Sequence, residues 1–515
     1  MRLTDHDLKQ INQEYLASLS PEQLLYLSEK MLDDLRNARD RLNQTPQNSS
    51  RPSGSYAPWE QASFAKEKKQ ADEEDRTEEK EKPGSKSTKS EPPSDIEQTN
   101  NRQGKKRKPG KQPGTKGVGR RVDLAITGEE IHKASVCAGC GERFADEAPF
   151  QANTGLYVLD IEREESGLQV THVKHTYGKR CCSCGHVTQT KPARCEDEPG
   201  WTVGLTEWHL VGPTLASLII CLSLRMRLSR PRIREFLQEW LRITLSVGCI
   251  NQCITEGGRA SAPLEDEFVA EIQQSELLYA DETGWKESGR TVWLWVLRTA
   301  TVTYYMIGRR SWNVIADVME QFAGWLMSDG YGQYRHYGKR LRCLAHIIRK
   351  ARGLAESCHP EAAEFGKKVL ENLCLFIKGI YEARGDPTID LLERFSQELT
   401  QLKELSEHHR DHEHEKTKKL ARELLNDWDA IWKVLAYPEL PITNNAAERA
   451  LRHWVIARKI SYGTRTEQGS RAYTLLASVI DTCRQRGVSP WPYIAEVIAE
   501  RRKGNAVPPF PQPIG

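Results

Sequence analysis

The feature that most constrains this chain is a long stretch, residues 44–121, that cannot build a core. It opens with the turn-rich "NQTPQNSSRPSGS", continues through the mixed-charge "KEKKQADEEDRTEEKEK", and ends in "GKKRKPGKQPGTKGVGRR". Segments with so little apolar surface cannot offset the entropy of ordering, so disorder is the expectation. A chain of 515 residues divided in this way must place its packed domains on either side. The final run, residues 104–121, holds eight Lys or Arg and no acid. Such an arm suits a phosphate backbone, where it releases counterions; Lys105, Lys106, Arg107, Lys108, Lys111 and Lys116 are the candidates, and a nuclear-localisation reading of "KKRK" is weaker.

Before this stretch, residues 1–43 form a helical segment. "SPEQ" carries a capping box, with Ser20 as cap, Pro21 in the first turn and Gln23 reaching back. Leu24, Leu27, Met31, Leu35 and Leu42 recur at helical spacing. The stripe either packs on its own domain or pairs two chains as a short coiled coil.

After it, residues 122–200 alternate as strands and carry two Cys-x-x-Cys pairs, Cys137 with Cys140 and Cys181 with Cys184. Four thiolates at such turns form a closed structural Zn²⁺ site, as in a zinc ribbon. The gap between the pairs is long for a ribbon, and Cys182 competes as a ligand. The thirteen cysteines of a chain beginning "MRLTDHDLKQ" fit a reducing, cytoplasmic setting better than a disulfide scaffold. No apolar run approaches the roughly 18 residues that span a bilayer, so no membrane partner is expected. Net charge is only +3, so the location of charge matters more than its sum.

Residues 201–275 read as a helical domain with a helix-turn-helix cadence. Its second helix, after Ser246, offers no basic side chain to a groove until Arg259, so two helices packed in a bundle are an equal reading. From residue 276 the pattern turns to strands: "ELLYADETGW", the continuously apolar "RTVWLWVLRT", and "VTYYMIG". A later apolar run, "GWLMSDGYGQY", again ends in an acid. Two strands that end in Asp281 and Asp329 would bring these carboxylates to one sheet edge, where hard, oxygen-loving Mg²⁺ or Mn²⁺ could bind. Glu282 should face the other side of its strand. A third acid is available in "PITNNAAERALRHWVIARK", where Thr443 or Asn444 can cap a helix carrying Glu448. Helix chemistry alone favours a surface salt bridge from Glu448 to Arg452 over a catalytic role. Between them, "EHHRDHEHEK", with His408, His409, His412 and His414, reads as a solvated linker rather than a metal cluster.

Taken in order, these motifs resemble the insertion sequence 66 family of bacterial transposases over nearly the whole chain. The resemblance lies in the leading helix with "NQTPQNSSRPSG", in "RKPGKQPGTKG", in the paired cysteines, and in "ADETGW", "SDGYGQY", "CLAHIIRKA" and "NNAAERALR". It implies a multidomain α+β chain with a ribonuclease-H-like core, split as 276–358 and 441–500 around a helical insertion at 359–440, and a tail at 501–515. It implies an Asp-Asp-Glu triad of Asp281, Asp329 and Glu448, all three serving as Mg²⁺ ligands, that cleaves and transfers DNA strands at an element's ends. Arg449, Arg452, Arg458 and Lys459 are then candidate phosphate contacts. A homodimer or higher oligomer and accessory proteins of the same element are implied partners. The sequence departs from the family at Thr115 and in "RKISYG", residues 458–463. Cys343 and His346 match its Cys-x-x-His, with core packing the simplest role. A catalytically inactive, DNA-binding regulator is the main rival, and a nuclease acting on RNA hybrids shares the chemistry; the intact acids favour the enzyme.

Overall fold

The computed structural model describes residues 11, 13–42, 124–165 and 167–513. The basic arm and the rest of 44–121 therefore lie outside the described residues. The N-terminal helices are α1 (Gln13–Ser18) and α2 (Pro21–Leu42). The capping box forms as the sequence predicts. The Ser20 N–H donates to Gln23 Oε1 at 3.0 Å, and the Gln23 N–H donates to Ser20 Oγ at 3.3 Å. The stripe is only partly covered: Leu24 and Leu27 are half-buried, while Met31, Leu35 and Leu42 remain exposed.

A small sheet follows, built from β1 (Gly128–His132), β2 (Phe150–Glu164), β3 (Gly167–Cys181) and β4 (Val187–Gln189). β2 and β3 form a long antiparallel hairpin, with β1 parallel to β3 and β4 antiparallel to it. Leu156, Leu159 and Ile161 of β2 are buried. Between them Asp160 turns to the next layer. Its Oδ1 accepts the Leu215 N–H at 2.7 Å, inside the first turn of α3 (Pro213–Leu224). A carboxylate at a helix N-terminus satisfies donors the helix itself cannot.

The helical layer adds α4 (Arg230–Leu241), α5 (Val247–Ala260) and α6 (Leu264–Gln273). The second helix of the expected helix-turn-helix is α5, and every residue from Cys253 to Ala260 is buried. Gly257 and Gly258 let it approach Ile220 and Ala472 closely. That half of α5 is a bundle helix, with no face left for a groove.

The large sheet consists of β5 (Leu277–Glu287), β6 (Arg290–Arg298), β7 (Thr303–Gly308), β8 (Trp325–Ser328) and β9 (Arg340–Arg342). Its order is β7-β6-β5-β8-β9. The first three strands form an antiparallel meander, and β8 and β9 then add in parallel. β6 lies inside the sheet with Leu294, Trp295, Val296 and Leu297 fully buried, which is why its apolar run does not alternate. After β9 come α8 (Leu344–Ala355) and an insertion of helices α9 (Pro360–Gly385), α10 (Leu391–Arg394), α11 (Ser396–His408), α12 (Glu415–Asn426) and α13 (Trp428–Ala436); a one-turn helix, α7 (Ala316–Met319), precedes β8. The insertion and α8 share a core through Ile347, Phe365, Phe376, Leu424 and Trp432. The chain then returns with α14 (Asn445–Ser461), α15 (Glu467–Gln485) and α16 (Pro490–Lys503). α14 packs on β5 and β6, and α15 on β7.

Candidate active site and cysteine cluster

The sheet order makes β5 and β8 parallel neighbours, with Tyr279 opposite Met327. Asp281 lies two residues past that pair, and Asp329 follows the last residue of β8. The two acids are therefore level across the sheet, but only Asp329 stands at a strand end. β5 runs on to Glu287 paired with β6, so Asp281 lies mid-strand, against the expectation that both strands end in Asp. Local bonds orient them: Asp281 Oδ1 accepts the Glu282 N–H at 2.9 Å, and Asp329 Oδ1 accepts the Tyr331 N–H at 2.8 Å.

Glu448 arrives in the first turn of α14. Asn444 holds that helix start against β5. It occupies the N-cap position, but its side chain makes no cap bond. Nδ2 instead donates to the Ala280 carbonyl at 2.8 Å, one residue before Asp281. The Asn444 N–H faces Cys343 Sγ at 3.2 Å, and the Leu344 N–H donates to the Ile442 carbonyl at 2.9 Å. Cys343 is buried and fixes the approach to the helix, and its sulfur, a ring nitrogen of His346 and a Glu448 oxygen lie within 4.8 Å of one another, so the fold leaves a ligand role open beside packing. The Glu448 carboxylate reaches across to α8, 3.4 Å from Arg349 Nη2 and 3.7 Å from His346 Nε2. Burial first, then Arg349, pushes His346 down to about 3, so its ring is neutral.

Asp281 is held well above the ordinary carboxylate range. Desolvation is the largest cause, followed by the charges of Asp329, Glu282 and Glu448. Its side chain is partly open to solvent, but the groups packed round it are mostly protein, so desolvation still dominates. The charges that raise Asp281 thus come from the end of β8, from its own neighbour Glu282 and, least, from the first turn of α14. Glu282 faces the opposite side of β5, as alternation requires. Arg310 donates to its Oε1 from Nε at 3.1 Å and Nη2 at 2.8 Å, and the Tyr334 hydroxyl donates to Oε2 at 2.6 Å. Burial, then Asp329, pushes Glu282 up to about 7.

The proposed phosphate contacts divide. Arg449, Arg452 and Lys459 are exposed on α14. Arg458 is not: Nη1 donates to Thr283 Oγ1 at 3.2 Å and to the Gly284 carbonyl, which fastens α14 along β5. The "RKISYG" loop is anchored next to it. Gly463 has φ +91°, and a Cβ there would lie 2.0 Å from the Lys286 carbonyl oxygen. Only glycine fits that position.

Sequence reasoning missed the ion-pair network that ties the sheet to the insertion. Asp427 lies 2.6 Å from Arg340 Nη2, 2.8 Å from Arg335 Nε and 3.1 Å from Arg342 Nε, while Glu423 takes Arg342 and Lys350. The signal was a charged "RLR" in a strand whose three residues are all buried; buried arginines need acids.

The cysteines also need a correction. The side chains that converge are Cys137, Cys140, Cys182 and Cys184, with all four sulfurs within 4.8 Å of one another. Cys181, the last residue of β3, is not part of this group. Successive strand side chains face opposite ways, so Cys181 and Cys182 cannot both turn inward. Sγ of Cys137 and Cys184 are 3.8 Å apart, and those of Cys140 and Cys182 are 3.6 Å apart. A tetrahedral Zn–S shell of 2.3 Å bonds requires about 3.8 Å, so this set fits zinc. Gly141 and Gly185, both at positive φ, follow the last cysteine of each turn. Backbone N–H groups, led by that of Cys140, draw the Cys137 thiol down to about 6, towards the thiolate a metal takes.

Among proteins of known sequence, this chain is 27% identical to Uncharacterized protein y4jO of Sinorhizobium fredii over 185 residues, 36% of this chain and 55% of that protein. It is 26% identical to Uncharacterized protein y4qI of the same organism over 281 residues, 47% of this chain and 50% of that one. With Uncharacterized protein y4jD, also of that organism, it shares 23% identity over 420 residues, 75% of this chain and 77% of the relative. The chain thus spans about half the length of the first two relatives. No helix among the described residues is long and apolar enough to cross a membrane. The signature described as "Transposase IS66 family" matches residues 209–472, more than half the chain and the whole frame that carries Asp281, Asp329 and Glu448; the protein belongs to the IS66 family of transposases.

Proposed function

We propose that the chain is a DNA transposase that cuts element ends and joins them to target DNA, using Asp281, Asp329 and Glu448 as a divalent-metal site. The observation that carries this reading is the parallel pairing of β5 with β8, which sets Asp281 level with Asp329, together with the tie of Asn444 to Ala280, which holds the start of α14 and so Glu448 against the same strand. Three acids gathered without a cation repel one another, and the donors are oxygens alone, so the set fits Mg²⁺ or Mn²⁺. Ions held there would activate the attacking oxygen and stabilise the leaving one. The remaining work falls to the protein. Asn444 sets the height of Glu448 against β5. Arg310 and Tyr334 pin Glu282 and so keep Asp281 turned to the other face. Arg349 and the exposed Arg449, Arg452 and Lys459 supply positive charge beside the acids for DNA phosphates.

The sheet order β7-β6-β5-β8-β9 supports a ribonuclease-H-like core, because three antiparallel strands followed by two parallel ones form that arrangement. Zinc at Cys137, Cys140, Cys182 and Cys184 would brace the small sheet, leaving the basic arm 104–121 to track the backbone. The exposed leucines of α2 support pairing of two chains.

The test is to incubate the purified chain with DNA carrying its element's ends and Mg²⁺ or Mn²⁺, with accessory proteins of the element supplied. Metal-dependent nicking and strand transfer that Asp281→Ala abolishes is the expected result. Binding without any cleavage by the unmutated protein would instead favour a regulator.

A further inference from the structure

We propose that Asp40, His359 and His414 form a second metal site, a zinc clasp that fastens the N-terminal helix to the helical insertion. The histidine-rich segment before α12 is not the solvated linker its composition suggests. His409 stacks on Phe365 with ring centroids 4.6 Å apart, and His414 is buried. The last turn of α2 carries Asp40, 6% exposed, to the same place. His359 precedes α9.

One ligand atom from each of the three residues lies within 4.8 Å of the other two. His414 Nε2 is 3.9 Å from Asp40 Oδ2, and the rings of His359 and His414 are 4.6 Å apart. The outer ring nitrogens are already engaged: His359 Nδ1 lies 3.4 Å from Asp33 Oδ1, and His414 Nδ1 lies 2.9 Å from Thr417 Oγ1. Metal-bound histidines are oriented in this way, with one nitrogen on an oxygen acceptor and the other presented to the ion. Asp40 is fixed as well, accepting from the Cys358 N–H at 3.0 Å and from the Ser357 hydroxyl.

A metal-free account leaves one atom unexplained. His414 Nε2 and Asp40 Oδ2, 3.9 Å apart, are beyond hydrogen-bond reach, and His359 Nε2 is buried with no hydrogen-bond partner. A cation that takes one lone pair from each residue satisfies all three. Two imidazoles and a carboxylate suit Zn²⁺, with water as fourth ligand. Tetrahedral geometry needs donors about 3.3 Å apart, so the side chains close by about an ångström. The clasp also explains how a helix with exposed Leu25, Leu35 and Leu42 is held by the insertion at all.

The experiment measures zinc per chain by mass spectrometry in full-length protein purified without chelator. All samples carry Asp281→Ala and Glu448→Gln, so neither the acidic site nor Glu448 with Cys343 and His346 contributes. Two zinc ions per chain are expected in this background, one after His359→Ala/His414→Ala, and one after Cys182→Ala/Cys184→Ala. Unchanged zinc in a folded histidine variant would overturn the clasp. Should that variant unfold, cobalt titration of the histidine-intact chain decides. A second, saturable visible band without thiolate charge transfer that persists in His132→Ala/His175→Ala, which removes the other histidine–carboxylate group, supports the site, and thiolate bands alone refute it.

Discussion

The cysteine cluster and the acidic site solve one problem, the gathering of several costly donors, in opposite ways. Each cysteine turn is local: Cys137 with Cys140, and Cys182 with Cys184, are brought together by a few residues and a positive-φ glycine. Only the pairing of two turns is long-range. The acids have no local partner of this kind. Asp281, Asp329 and Glu448 meet because β5 and β8 are parallel neighbours and Asn444 ties α14 to Ala280. A locally built site can be disrupted by one side chain, whereas a globally built one can be disrupted from far away.

The largest expected effect breaks the acidic side directly. Asp281→Asn, Asp329→Asn or Glu448→Gln should each lower metal-dependent cleavage by about 10⁴-fold or more while DNA binding persists, read by nicking and gel-shift assays. On the cysteine side, Cys182→Ala should cost one zinc and melt the small sheet, whereas Cys181→Ala should keep both; metal analysis with thermal melts separates them. The reverse result would restore Cys181 as the ligand. Action at a distance is tested by Asp427→Ala. It strands the buried Arg340 and leaves the buried Arg342 with Glu423 alone, and should destabilise the insertion and core by about 3–5 kcal/mol in denaturant unfolding. The cysteine cluster should not notice.

A pH series sharpens the comparison further. Glu282 rises from its ordinary 4.5 to about 7, and Asp281 is raised as well. The folded state then holds protons that the unfolded chain has released. Stability from these groups is fully present below about 4.5 and is lost as pH rises through about 7. Metal-free protein should therefore lose on the order of 2 kcal/mol across that window, and Mg²⁺ should stabilise it more at the upper end. A pH dependence that shrinks in Glu282→Gln, and shrinks further when Asp281→Asn is added, would assign the effect to these two groups. The smallest effect is expected from Asn444→Ala, about 1 kcal/mol in stability and about tenfold in cleavage rate, because α14 stays packed but Glu448 loses its height reference.

Much of this was legible in the chain itself. Capping chemistry at Ser20 and Gln23, the unbroken apolar run of β6 and Asp329 at the end of β8 are local signals, and each forms where the pattern puts it, whereas Asp281 lies mid-strand because β5 runs on past it. Motif resemblance, not helix chemistry, singled out Glu448, since a glutamate one turn into an amphipathic helix looks like any surface acid. The misreadings share one cause. Cys181 against Cys182, Asn444 as a cap, Arg458 as a free phosphate contact and the histidines as a solvated linker all concern where a side chain points once its element is docked. Spacing along the chain does not encode that.

The sequence by itself determined the elements and the chemistry available: which runs become strands and helices, which turns hold thiols, and that three acids exist to be gathered. Tertiary structure alone decided which donors face one another. Strand order set Asp281 beside Asp329, the docking of α14 added Glu448, strand parity selected Cys182, and the return of α2 onto the insertion placed Asp40 between two histidines. The physical reason is that propensity and periodicity act over a few residues, whereas the cost of burying a charge or a lone pair is settled by neighbours that only the completed fold supplies.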